Sequence, residues 1–368
     1  MKTVKRSAIA LVICVVTILS SLIPASADTL IKTKLDSISS SIRNCAVYDM
    51  DEKRFIYTKK ADEHIYIAST TKLMTSLVAL SVFHPDDVIT VGQEVYMAKS
   101  GSSLSYISPG HKLQVRTLIA ALLLPSGNDA AYTVAVNTAK KHSGNYSMSN
   151  TAAVTYFCNL MIEEAKKLGC NNTYFVNPEG WDHQSHYSTI EDMTKIAVAA
   201  ANNAIIASIA NIHSKKFYFY SGENITWNNT NKLLDPSSKY YYPYAHGLKT
   251  GSTSNAGYCL VAFAEKDGRK LLVMAYGCPF GDDNTRFGKV KEMFEFAFSL
   301  PTTGDVDDSG EITSADARLV LRASVKLETL TPVIRRRGDI DKDGNIASSD
   351  ARHILRAAVN LESPSFWK

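Results

Sequence analysis

A hydroxyl and an amine stand three residues apart at Ser69-Thr70-Thr71-Lys72. Downstream, Ser126-Gly127-Asn128 adds a second hydroxyl and an amide, and Lys249-Thr250-Gly251 adds a second lysine beside glycine. The set suits nucleophilic attack on a carbonyl next to a carboxylate anion, without histidine, cysteine or metal. A serine hydroxyl is a weak nucleophile and needs a base. Residues three apart share one face of a helix, so Lys72 Nζ can reach Ser69 Oγ. A lysine acts as base only if its pKa falls, which burial and a neighbouring cation both bring about. A buried helix under Lys72 would supply the first effect and Lys249 the second.

Two of the three strings have second copies, at residues 365–368 and at Ser143-Gly144-Asn145. The first copy sits at the C-terminus and the second in a polar stretch that reads as a loop. Lys-Thr-Gly occurs once. The information therefore lies in the order of the strings and in the elements that carry them. Apolar spacing over residues 73–80 predicts a buried helix directly after the first string. Residues 118–124 form an apolar stretch stopped by Pro125, and residues 130–141, 154–168 and 190–209 read as helices. Residues 45–57 read as a hairpin. From residue 215 the period changes, and 216–220, 247–251, 258–264 and 271–276 read as strands. A closing helix is expected over 285–299. This order fits an α/β (α+β) chain with an antiparallel sheet packed on helices.

The three strings resemble those of the penicillin-recognising serine enzymes. The closer likeness is to low-molecular-mass D-alanyl-D-alanine carboxypeptidases, over residues 35–300. It is carried by IASTTKLMTSLVAL (67–80), LLLPSGNDAA (122–131), FVNPEG (175–180), HYST (186–189) and GLKTGSTSNAG (247–257). The resemblance implies a penicillin-binding, serine β-lactamase-like fold with an antiparallel sheet and a helical subdomain. It implies that Ser69 is the acyl-ester nucleophile, Lys72 its general base and Ser126 a proton relay to the leaving amine. Asn128 would bond the substrate backbone. Lys249 and Thr250 would hold the terminal carboxylate, with Gly251 allowing close approach. The oxyanion hole would be the N–H groups of Ser69 and Ser252. No catalytic cofactor is expected. The substrates implied are peptidoglycan stem peptides, with β-lactams as inhibitors. A β-lactamase would carry a glutamate in a Glu-x-x-Leu-Asn string, and Glu164 with Leu168 and Asn171 has the wrong spacing. A non-hydrolytic peptidoglycan or β-lactam binder is the rival class. His186 and His246 are read as cleft-lining, packing or surface residues.

The chain has 368 residues, a formal net charge of +4 and 45% hydrophobic residues, with no nucleic-acid footprint. Lys2, Lys5 and Arg6, an apolar run over 8–22 and Ala25-Ser26-Ala27 form a signal peptide, expected to span 1–27. The chain is thus expected in the bacterial cell envelope or medium, with no transmembrane anchor. The five cysteines beyond that segment are read as small buried residues.

A second module follows a linker at 301–304. Residues 314–328 and 348–362 repeat at a 34-residue offset, identical at ten of fifteen positions. Each copy follows an acidic loop with the twelve-residue calcium pattern: carboxylates at positions 1, 3 and 12 and glycine at 6. The first loop offers Asp305, Asp307, Ser309 and Asp316 with the carbonyl of Glu311. The second offers Asp339, Asp341, Asp343 and Asp350 with the carbonyl of Asn345. No full helix precedes the first loop, and position 12 is aspartate. This arrangement resembles dockerin domains, which are small, all-α and fold on calcium. The resemblance implies two Ca²⁺ sites over 305–362 and a cohesin-bearing scaffold or surface protein as partner. The catalytic domain is expected over 28–300.

Overall fold

The computed structural model describes residues 27–51, 53–266, 268–300, 304–307, 309, 311–341, 343–362, 364 and 367. The expected leader, apart from Ala27, lies outside these residues, as do 301–303 of the expected linker and Gly310 of the first acidic loop.

Helix α1 (Ala27–Ile38) precedes the hairpin β1 (Asn44–Asp49) and β2 (Arg54–Lys59), which pairs antiparallel as expected. A 3₁₀ turn (Ala68–Thr71) runs straight into α2 (Lys72–Val82). Lys72, Leu73, Met74, Thr75 and Ser76 are all buried, so the first turns of this helix are covered on every side. The short ladder β3 (Val88–Thr90) and β4 (Lys112–Gln114) leads to α3 (Val115–Leu123), α4 (Asn128–Ser143) and α5 (Asn150–Lys167). Ser143-Gly144-Asn145 is the end of α4, where Gly144 closes the helix in the left-handed conformation.

The helix expected over 190–209 is two helices, α6 (Ile190–Asn202) and α7 (Ala204–Ala210), meeting at 92°. Asn203 between them is extended, and its side chain accepts from Ile205 N and Ile206 N at 3.1 and 3.2 Å. A polar residue that caps new N–H groups ends one helix and starts the next, and apolar spacing does not register it. The strand expected at 216–220 is β5 (Ser214–Tyr218), which pairs only with β6 (Asn224–Asn228) in a separate hairpin. The remaining strands are β7 (Ala245–Thr253), β8 (Gly257–Lys266) and β9 (Arg269–Cys278). They complete one antiparallel sheet of order β2-β1-β9-β8-β7. The closing helix begins as a π turn (Asn284–Gly288) and becomes α-helical only in α8 (Lys289–Ser299).

Strand alternation sends successive side chains into two cores. Val261 and Phe263 of β8 face the helical subdomain, with Leu73 and Met74 of α2. Leu260, Ala262 and Ala264 face the other layer, with Leu35 of α1 and Phe294 of α8. Burying one such Leu or Phe side chain contributes about 1.5–3 kcal/mol. Arg269 Nε donates to the buried Asp49 Oδ2 at 2.9 Å, locking β9 to the end of β1. The five described cysteines are all buried and unbridged. No single described helix is long and apolar enough to cross a membrane.

In the C-terminal segment, α9 (Ser314–Ser324) and α11 (Ser348–Ala358) pack against each other, with the short α10 (Pro332–Gly338) touching both. Val320, Ile334, Ile340 and Ile354 form its small core. The repeat copies thus become equivalent loop-helix units.

Asn203→Ala should lower stability by about 1 kcal/mol through loss of the α7 cap. Chemical denaturation of the two proteins side by side checks this. An unchanged midpoint would mean that packing alone sets the bend.

Candidate active site

Ser69 lies in the 3₁₀ turn, partly exposed, and its predecessor Ala68 is held at φ 46°. A non-glycine residue rarely adopts this left-handed backbone and needs neighbours that enforce it. Thr71 Oγ1 donates to Ala68 O at 2.8 Å. His186 Nε2 sits 2.8 Å from Thr71 Oγ1, while its Nδ1 accepts from Val176 N at 3.2 Å. Nδ1 is therefore the acceptor and Nε2 carries the proton. Burial pushes the His186 pKa down to about 3, so the ring is neutral. His186 is thus a buried strut of the nucleophile turn rather than part of the cleft wall. Thr70 braces the other side, with its Oγ1 3.1 Å from Tyr276 OH of β9. His246 packs against Phe263.

Lys72 is fully buried at the start of α2. Its Nζ donates to Ser69 Oγ at 2.8 Å, to Asn128 Oδ1 at 2.8 Å and to Glu179 O at 2.9 Å. Desolvation lowers its pKa from the usual value to about 7, against the opposing charges of Glu179 and Asp129. Lys249 is a second buried amine close enough to interact with Lys72. Lys249 is lowered by its own burial and then by the charge of Lys72. Burial is the largest cause of the lowering at Lys72, and repulsion between the two amines acts on both.

Asn128 opens α4, and Ser126 before it holds φ 64° and is buried at the cleft. The loop that carries Glu179 passes close beneath the nucleophile. Gly180 has φ +91°, and a Cβ there would lie 1.8 Å from Ala68 O. Only glycine fits both the conformation and the space. The Glu179 carboxylate is buried, accepts from Tyr132 OH at 3.0 Å, and has its pKa raised by desolvation.

Across the site runs β7. A Cβ on Gly251 would lie 3.0 Å from Ser69 N and 3.0 Å from Ala68 Cβ, so glycine lets the strand close on the nucleophile turn. Thr250, Gly251 and Ser252 line the cleft. Lys249 is 1% exposed, and its Nζ donates to Thr250 O at 3.1 Å. Thr250 Oγ1 is 2.6 Å from Thr230 Oγ1. The cleft measures about 970 Å³ and has Ser69, Ser126 and Asn128 on one side and β7 on the other.

Several cleft residues lie outside the three strings. Arg286 of the π turn lines the wall beside Ser252, its guanidinium 4.0 Å from the Tyr258 ring centre. Asp182 accepts from Asn255 N at 3.0 Å and from Thr253 Oγ1, tying the loop that bears Glu179 to the end of β7. Trp181 lines the rim with Lys99 above its ring at 5.0 Å. The FVNPEG string marks the loop of Glu179 and Trp181, but no spacing rule links Arg286 to Thr250.

Each acidic loop gathers three carboxylates, and Asp350 is outside the second group. Oxygens of Asp305, Asp307 and Asp316 lie within 4.8 Å of one another, as do those of Asp339, Asp341 and Asp343. In each copy the position-12 aspartate also ties the loop backbone. Asp316 Oδ1 accepts from Val306 N at 2.6 Å, and Asp350 Oδ1 accepts from Ile340 N at 2.8 Å. Ser309 Oγ donates to Glu311 O at 3.2 Å, and Asn345 N donates to Asp343 Oδ1 at 2.7 Å. Asp339 Oδ1 is buried without a partner. Its pKa is raised, first by burial and then by Asp350, Asp343 and Asp341. Hard oxygen donors crowded around an unpaired carboxylate oxygen fit a calcium ion, which would neutralise them.

Comparison with known proteins agrees with this geometry. Residues 33–278 match the D-alanyl-D-alanine carboxypeptidase family, and residues 303–358 match the dockerin type I domain, a calcium-binding module. The chain is 27% identical over 269 residues to the D-alanyl-D-alanine carboxypeptidase DacF of Bacillus subtilis, covering 72% of this chain and 64% of that protein. It is 34% identical over 231 residues to a D-alanyl-D-alanine carboxypeptidase of Streptomyces sp. strain K15, covering 59% of this chain and 74% of that one. The crystal structure of the Streptomyces K15 DD-transpeptidase superposes with a TM-score of 0.64 at 29% identity, over 71% of this chain and 98% of that one. The fold, the match over most of the chain and the three strings in one cleft agree: the chain belongs to the D-alanyl-D-alanine carboxypeptidase family.

Proposed function

We propose that this chain is an exported serine D-Ala-D-Ala carboxypeptidase that removes the terminal D-Ala of peptidoglycan pentapeptides through an acyl ester on Ser69. One observation carries the reading: the partners of Lys72 Nζ. Asn128 Oδ1 and Glu179 O can only accept hydrogen bonds. A neutral amine has two N–H bonds, and these two acceptors use both. Its lone pair is then left facing Ser69 Oγ at 2.8 Å. The burial that lowers the Lys72 pKa makes that neutral form available near pH 7.

In the first step Ser69 Oγ attacks the carbonyl of the penultimate D-Ala while its proton passes to Lys72. The N–H groups of Ser69 and Ser252 stabilise the oxyanion, an effect typically worth about 3–4 kcal/mol per donor. Ser126 relays a proton to the leaving amine as the C–N bond breaks, and free D-Ala departs. Water then hydrolyses the ester and restores Ser69. Thr250 and Ser252 hold the terminal carboxylate, with Arg286 on the same wall. Lys249, buried beside Thr250, supplies the positive charge that attracts this carboxylate. A β-lactam enters the same steps, but its leaving amine stays tethered, so the adduct persists.

The segments follow from this reading: a signal peptide over 1–27, the catalytic domain over 28–300, a linker over 301–304 and the dockerin over 305–362. The dockerin binds two Ca²⁺, through Asp305, Asp307, Ser309, Glu311 O and Asp316, and through Asp339, Asp341, Asp343, Asn345 O and Asp350. Its partner is a cohesin-bearing scaffold or surface protein. A matched apolar set supports docking: Leu321, Val325 and Leu327 are exposed, and so are their counterparts Leu355, Val359 and Leu361. A non-hydrolytic binder would not need the buried amine aimed at Ser69.

Mass spectrometry should find a pentapeptide shortened by one alanine and a penicilloyl adduct on Ser69, both absent in Ser69→Ala. Folded protein that gives neither product refutes the enzyme; an adduct without peptide turnover favours the binder. Acylation should lose rate tenfold per pH unit below about 7, where Lys72 becomes protonated. A flat rate between pH 5 and 8 would remove Lys72 as the base. Chelation of calcium from the full chain should abolish one calorimetric transition and reduce the helical signal, and calcium should restore both. A trace indifferent to chelator would exclude calcium-coupled folding.

A further inference from the structure

Two carboxylates act on the buried amine of Lys72, and they are placed differently. Asp129 is committed to its neighbours. Its Oδ1 accepts from Ser105 N and Ser105 Oγ at 2.8 Å and from Ala130 N at 2.9 Å, and its Oδ2 accepts from Ile107 N at 3.2 Å. Glu179 is only half satisfied. Its Oε1 accepts from Tyr132 OH at 3.0 Å, while its Oε2 is buried without a partner, in a residue 1% exposed. A buried carboxylate oxygen left unbonded is destabilising unless a nearby charge compensates it.

The backbone brings Glu179 to such a charge. Its own carbonyl accepts from Lys72 Nζ at 2.9 Å, and Asn128 Oδ1 accepts from the same Nζ at 2.8 Å. Asn128 and Tyr132 are four residues apart in α4 and share one face of it. That face holds the amine through Asn128 and the Glu179 carboxyl through Tyr132. The other titratable groups around the pair are Tyr132 of α4, Cys158 of α5, Lys249 of β7 and Lys99 at the rim. Burial raises the Tyr132 phenol and pushes the Cys158 thiol up to about 12, so both are neutral. Lys99 is exposed, and Lys72 comes before it among the opposing charges that act on Glu179.

Resting on the reading of Ser69 and Lys72 above, we propose that Glu179 is a positioning residue of acylation, its carboxylate being the counter-charge for the ammonium that Lys72 becomes. When Ser69 Oγ attacks, its O–H bond breaks and the proton joins the lone pair of Lys72. A buried neutral amine thereby turns into a buried cation. Glu179 takes no proton and touches no reacting atom. Its charge stabilises the ammonium as it forms and makes Lys72 a stronger base. Burial weakens the same base, and the two opposed effects together set the pH at which the amine is free. Asp129 contributes less because N–H and O–H dipoles already compensate it.

The test is the pH profile of acylation by penicillin, read on the full chain as the single-turnover rate of adduct formation on Ser69. Wild type is compared with Glu179→Gln, which keeps an acceptor for Tyr132 and the backbone carbonyl for Lys72 but loses the charge. The acid limb should move to lower pH by about one unit or more. The plateau should fall roughly 3- to 10-fold, because a weaker base receives the proton. A lower plateau with the limb in place marks a packing role and overturns the proposal, as does a limb moved to higher pH. If the glutamine variant does not fold, Glu179→Asp carries the test. Withdrawing the charge by one methylene should move the limb the same way by less, and an unmoved limb refutes the pairing. NMR of lysine labelled with ¹³C at Cε reads the same midpoint without catalysis, the Lys72 signal being the one lost in Lys72→Arg. Should the wild type form no adduct, the catalytic reading fails by itself and this midpoint decides. A lower midpoint in the variant sustains the pairing, and an equal or higher one refutes it.

Discussion

Everything in the catalytic domain is arranged around one amine that has left water. Lys72 is fully buried, and its Nζ satisfies three acceptors contributed by three different parts of the chain. An unpaired ammonium in that position would be prohibitively unfavourable. The partners must therefore be held at hydrogen-bond distance before any substrate arrives. That requirement explains why the first turns of α2 are covered on all sides and why α4 begins at Asn128. It also explains why the loop bearing Glu179 is pressed beneath the nucleophile turn.

Holding these partners strains the backbone at the site. Ala68 and Ser126 adopt left-handed φ values without being glycine, and Gly180 does so where no side chain would fit. Each deviation has a visible brace. Thr71 and His186 hold the Ala68 carbonyl, while Thr70 reaches Tyr276 on the sheet. Neutral His186 matters here as a rigid proton donor, and its burial keeps it neutral. The strain sits where chemistry needs preorganised groups, and two packed cores on either side of the sheet sustain it.

The C-terminal module follows a different logic. Its core is small, and its loops concentrate carboxylates that repel one another. A chain of that size gains little from apolar burial alone, and a bound cation converts the repulsion into cohesion. The position-12 aspartates tie each loop to its helix through backbone N–H groups, so ion binding and helix packing are mechanically joined.

The order of the three strings, the buried helix after Lys72 and the 34-residue repeat were all legible in the sequence, because each depends on local spacing. Spacing of three along a helical turn is enough to bring Ser69 and Lys72 together. The break at Asn203 was missed because a cap is one polar residue inside an otherwise helical pattern. Only the tertiary structure placed Glu179, Arg286 and Thr230 at the cleft, since contacts between distant segments leave no periodic trace. It also buried Lys249 beside Thr250 and showed that desolvation is the largest cause of the lowered Lys72 pKa. Burial is a property of the whole packed assembly. The sequence by itself determined which groups were available for chemistry, and the fold decided which of them water can reach.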